Sequence, residues 1–154
     1  MSISDLIVVM KDGVLQQIGK PQEVYDNPVN LFVAKFLGTP PINVFEGKIR
    51  AGKLYIGEEA VMELSGQADR DVWIGVRPEG FSLKSDGALS CNLSGVEVMG
   101  RDISVVSTHP AAVNASVRAI ISAENSVDVA AGVVKFDLKP SKVHVFDRNT
   151  EERL

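Results

Sequence analysis

The sequence predicts a mainly β fold, a small barrel or sandwich, preceded by a short segment that mixes strand and helix. Three observations predict it. From Ile42 onward, short alternating segments are separated by glycine, proline or charged turns, the spacing of an all-β domain. No long helical period of apolar residues interrupts them. Ahead of them, two β-branched runs and two helix starts share residues 5 to 38.

Leu6 to Met10 and Val14 to Ile18 read as strands, with Lys11-Asp12-Gly13 as the hairpin turn between them. Pro21 suits a first helical position and starts a short helix through Tyr25. Asn27-Pro28 then supplies an N-cap and a second helix start, and that helix ends at Gly38. Phe32 with Phe36, and Val33 with Leu37, are four apart, so each pair shares a face that needs cover. A unit this small rarely buries enough surface to stand alone, so this face and the open hairpin edges are expected to self-associate. Thr39-Pro40-Pro41 cannot continue a helix and divides the chain into 1-41 and 42-154.

The strands expected beyond that boundary are Val44 to Arg50, Lys53 to Ile56, Val61 to Leu64, Asp71 to Arg77, Leu89 to Met99, Ile103 to Thr108, Val113 to Ile121, Val133 to Leu138 and Val143 to Phe146. Alternation places Val72, Ile74 and Val76 on one face and Trp73 and Arg77 on the other. One face should be core, the first if Val72, Ile74 and Val76 point inward. The second either covers the barrel or meets a partner, and Trp and Arg are residue types enriched in interface hot spots.

Composition excludes several function classes. The chain of 154 residues carries 16 basic and 20 acidic residues, a net charge of -4, with 6% aromatics and no basic cluster. Nucleic acid needs a basic footprint and stacking aromatics, so no nucleic-acid partner is expected. No stretch reaches the roughly 20 apolar residues that span a bilayer, so direct membrane insertion is not expected either. The single cysteine, Cys91, cannot form an internal disulfide and reads as a buried small hydrophobe, which suits a cytoplasmic chain.

A catalytic or metal reading finds no candidate. His109 and His144 have no Cys or His neighbour at metal-ligand spacing. No Gly-rich loop ends in Lys-Ser or Lys-Thr, so nothing cradles phosphate. Glu58-Glu59 and Glu151-Glu152 read as solvated turn charges. Three constellations remain. Gly75-Val76-Arg77-Pro78-Glu79 closes a strand with a rigid turn and a local ion pair. Glu97-Val98-Met99-Gly100-Arg101-Asp102 is a hairpin with glycine at the turn. Pro140 to Asp147, with His144 and Phe146, is an edge or closing strand started by proline.

These pieces resemble the C-terminal part of the ATPase subunits of sugar-type ABC importers, the maltose and glycerol-phosphate transporter group. Asp5 to Lys20 is similar to the last strands of that family's ATPase domain. Pro21-Gln22-Glu23-Val24-Tyr25-Asp26-Asn27-Pro28 and Asn30-Leu31-Phe32-Val33-Ala34-Lys35-Phe36-Leu37-Gly38 resemble its final helices. Thr39 to Asn43 resembles the junction into the accessory TOBE domain, an OB-like β barrel. The motifs at Gly75 to Glu79, Glu97 to Asp102, and Pro140 with His144, Phe146 and Asp147 follow in the family's order.

The resemblance implies a regulatory and dimerisation region without catalysis of its own. The family's phosphate loop, signature motif, magnesium-binding acid, catalytic glutamate and switch histidine all precede the part matched. Met1 to Ser4 resembles the sequence just after that histidine. ATP and magnesium are thus expected of a longer parent and no cofactor of this stretch, with permease subunits as the parent's partners and the inner membrane face as its place. A related alternative is a ligand-sensing OB-like barrel for a sugar or oxyanion, which needs polar donors on inward strand positions.

Overall fold

The fold is seen in a computed structural model that describes residues 5–38 and 40–154; Met1 to Ser4 and Thr39, named above, lie outside the described residues. β1 (Ile7–Lys11) and β2 (Val14–Gly19) pair as an antiparallel hairpin. Asp12 and Gly13 both take positive φ at its turn, which is why this hairpin was readable from Asp-Gly. α1 (Pro21–Asp26) starts on its proline as expected. α2 (Leu31–Phe36) does not start at Asn27-Pro28. Its N-cap is Asn30, whose side chain accepts a bond from Val33 N. The reason is long-range: Val29 O is taken by Arg153 N, and Leu31 N donates to Glu151 O, so the C-terminal tail holds this stretch out of the helix.

The remaining strands form two five-stranded antiparallel sheets. One contains β3 (Asn43–Arg50), β4 (Lys53–Ile56), β5 (Glu59–Glu63), β6 (Arg70–Val76) and a late strand, Val143–Asp147, in the order last strand, β6, β3, β4, β5. The other contains β7 (Phe81–Leu83), β8 (Leu89–Met99), β9 (Asp102–Thr108), β10 (Val117–Ser122) and β11 (Val133–Leu138) in the order β10, β9, β8, β11, β7. The late strand is β12, and it lies at a sheet edge, as expected, although it starts at Val143 after a 3-10 turn rather than on Pro140.

β7 and the 3-10 turn Pro78–Gly80 before it were not anticipated, because the proline and glycine there mask a three-residue strand. The strand expected over Val113 to Ile121 begins only at Val117. Residues 111 to 114 are used otherwise. They run beside the first half of β3, with Glu46 N bonded to Ala111 O at 2.8 Å and Val113 N to Val44 O at 2.7 Å. This connection and Glu59, which accepts from Ser90 N at 2.9 Å, join the sheets into a nearly closed barrel. The buried Asn43 adds a polar rivet: its amide donates to Val76 O and Arg118 O and accepts from Arg118 N.

One apolar core fills the barrel. Phe45, Ile49, Leu54, Val72, Ile74 and Val76 of the first sheet face Leu89, Val105, Val117 and Phe136 of the second. Cys91 belongs to it, and burial pushes its thiol up to about 11, in keeping with a small apolar role. The N-terminal segment has a separate small cluster of Val9, Val24 and Val33. Between the two lies a third cluster of Leu31, Ala34, Ile42, Val44 and Phe146, with Trp73 packed against it. The mainly β fold expected from the sequence is therefore the one observed.

Candidate functional site

The alternation that puts Val72, Ile74 and Val76 into the core turns Trp73 and Gly75 outward on β6, and Arg77 just past its end. Register brings His144 opposite Gly75 and Phe146 opposite Trp73. All five sit on one outer sheet face, and that face is covered by α2 of the same chain. Gly75 is needed for closeness: a Cβ there would lie 2.7 Å from Ile42 Cδ1. Trp73 is half-buried, its indole N–H donating to Arg148 O at 3.2 Å and its ring carrying the Arg148 guanidinium at 4.6 Å.

Arg77 is the centre of the site. It is 1% exposed, and it does not pair with Glu79 as the sequence suggested. One terminal nitrogen donates to Ala34 O at 3.0 Å and to Leu37 O at 2.9 Å, and the other donates to Tyr25 O at 2.8 Å. The guanidinium lies 3.9 Å over the Tyr25 ring. It thus closes the carbonyl end of α2, where unsatisfied acceptors and the negative end of the helix dipole favour a cation. A planar fork with five donors suits this better than an ammonium.

Glu79 reaches the same place by another route. The Tyr25 hydroxyl donates to its two carboxylate oxygens at 2.7 and 3.0 Å. Burial and the Glu79 carboxylate push that phenol above its ordinary value, so it stays protonated and donates. Lys142 Nζ lies 3.9 Å from both Asp26 Oδ1 and Glu79 Oε2. Pro78, buried, fixes the 3-10 turn that aims Glu79. Arg77 Nε and His144 Nδ1 are buried without a partner among the described residues.

His144 has a stability consequence. Burial, then the charges of Arg153 and Arg77, push its imidazole down to about 4 from an ordinary 6.5. Between these values the unfolded chain binds the proton and the folded chain does not. The stabilisation is complete above pH 6.5 and falls as pH drops toward 4, by about 3 kcal/mol in total. Thermal melts from pH 7 to 4 should show this slope, and His144→Gln should flatten it. A slope unchanged in the variant would assign the loss to other groups.

The other motif residues lie apart from this cluster. Gly100 takes φ +79 at the turn between β8 and β9, as the hairpin reading requires. Glu97, on that ribbon, pairs at 3.5 Å with Arg118 of β10, an exposed contact contributing under about 1 kcal/mol. Pro140 opens a 3-10 turn rather than the strand itself. Asp147 accepts from Asn149 N and Thr150 N, both at 2.8 Å, which holds its carboxyl below the usual range and shapes the final turn.

Sequence reading also missed a pairing away from this cluster. His109 and Glu59, 50 positions apart, meet at 3.0 Å between His109 Nε2 and Glu59 Oε1. Ala111 N donates to His109 Nδ1, which places the proton on Nε2 and makes Glu59 the acceptor. Glu59 also accepts from Ser90 N, so the pair fastens sheet to sheet. Among the described residues, no group of three or more His, Cys, Asp or Glu could hold a metal ion.

No family model matches the chain. Curated relatives do. The diacetylchitobiose uptake system ATP-binding protein MsiK of Streptomyces coelicolor is 32% identical over the whole chain, which covers 47% of that relative. The sn-glycerol-3-phosphate import ATP-binding protein UgpC of Jannaschia sp. is 30% identical over the whole chain, covering 43% of its length. The chain is homologous over its full length to the C-terminal part of ABC importer ATP-binding subunits. The oligosaccharides import ATP-binding protein MsmX of Bacillus subtilis is 32% identical, with 46% of its length covered. The chain thus spans less than half the length of these importer subunits. Among the described residues, no helix is long and apolar enough to cross a membrane.

Proposed function

We propose that the chain is the regulatory and dimerisation region of an ABC importer ATP-binding subunit for sugars, with no catalysis of its own. In this reading residues 1-41 are the end of the ATPase domain and 42-154 the TOBE barrel. The carrying observation is similarity over the whole chain to importer subunits of which it covers less than half. The geometry supports it. Arg77, Pro78, Glu79, Trp73, Gly75, His144 and Phe146 hold backbone and side chains of this chain together, so their role is structural.

ATP and magnesium then belong to the part of the longer subunit outside this stretch, and permease subunits at the inner membrane face are its partners. Titration of the chain with Mg-ATP in a calorimeter should give no saturable heat. Binding at micromolar concentration, or hydrolysis above buffer, would overturn the reading. The ligand-sensing alternative asks for inward polar donors. Inward positions instead carry Phe45, Ile74, Val105 and Phe136, which favours the regulatory platform.

A further inference from the structure

The structure assigns to Tyr25, Arg77, Glu79 and Lys142 the role of a latch that holds residues 21 to 38 on the barrel and can open while the barrel stays folded. This goes beyond the transporter reading and rests on geometry alone. Three facts carry it. The barrel core is complete without any residue of α1 or α2, whereas the helices pack into two small clusters, one with the hairpin and one against Ile42, Val44 and Phe146. Two six-residue helices are too short to persist without docking. The side chains of Arg77, Glu79 and Lys142 reach the helices at one point, where Arg77 holds the last turns of α1 and α2 together.

The apolar part of the junction is modest, since Leu31 and Ala34 are buried against the barrel while Phe36 is 59% exposed. A second anchor lies at the other end of α2, where the tail accepts Leu31 N at Glu151 O. That anchor makes a hinge. Opening at Arg77 would swing the α1–α2 strap about residues 29 to 31 and uncover Trp73, the chain's single tryptophan.

Hydrogen exchange on the full chain tests this, with Arg77→Lys and Tyr25→Phe as gentle variants. The first keeps the charge without the fork; the second keeps the ring without the hydroxyl. In both, the Val24 and Ala34 amides should exchange at least about tenfold faster, while those of Ile74, Val105 and Phe136 keep their wild-type rates. Trp73 emission should shift to the red in step. If helix and barrel amides accelerate equally, the cluster is a global stability contact and the latch is refuted. If neither set changes, the cluster holds nothing and the latch is again refuted.

Discussion

Replacing Arg77 with alanine weakens the docking of residues 21 to 38 by about 3 kcal/mol or more, a factor of at least about 100. A solvent-exposed pair with Glu79 would have set the loss under about 1 kcal/mol. The buried arrangement decides otherwise. Three charge-assisted bonds vanish, and the carbonyls of Tyr25, Ala34 and Leu37 lose their donor together. The Tyr25 ring also loses the cation stacked on it. Trypsin reads the result at Lys35, an exposed residue of the strap. Cleavage there should accelerate by at least about 100-fold, with the barrel staying intact on the same timescale. An unchanged rate, or a barrel digested as fast, would show that Arg77 does not hold the helices.

How much of this was legible in the sequence follows the range of each interaction. Local chemistry read well. Asp12-Gly13 gave the first hairpin, Pro21 the first helix, and the alternation of Val72, Ile74 and Val76 the core face of β6. Long-range pairing read poorly. Asn27 and Asn30 are equally good caps by residue type, and only the tail bonding to Val29 O and Leu31 N selects Asn30. Val113 looks like strand, yet Asn114 accepts from Val44 N and ties that stretch to β3 instead. Glu59 looked like a turn charge because its partner His109 is 50 positions away.

The site showed the same divide. Arg77, Glu79, Trp73, Gly75, His144 and Phe146 were named from sequence, and Trp73 and Arg77 do share one face, but Tyr25 and Lys142 were not named with them. What covers that face was not legible, because α2 lies about 40 positions upstream and its own pattern had already been read as lacking cover. Both halves of that expectation changed together: Leu31, Val33 and Ala34 are buried, whereas Phe36 is left open.

The apolar surface that remains open predicts the chain's assembly. On the hairpin, Val8 faces Ile18 and Met10 faces Leu15 across the strands, and all four side chains are more than half exposed. Ile7 and Val9 point the other way, into the cluster with Val24 and Val33. Among the described residues this two-stranded sheet has a bare apolar face and open edges, a self-pairing surface. The 154-residue chain should therefore associate in a concentration-dependent way through this hairpin. Combining Val8→Lys with Ile18→Glu tests it, because opposite charges on directly paired residues keep the hairpin while destroying its apolar face. Light scattering should then report a monomer at concentrations where the wild type is dimeric. A dimer that survives both substitutions would move the contact to the barrel, where Val98 and Met99 stand exposed at the tip of the β8–β9 ribbon. A wild-type chain that stays monomeric at every accessible concentration would sink the prediction in both forms.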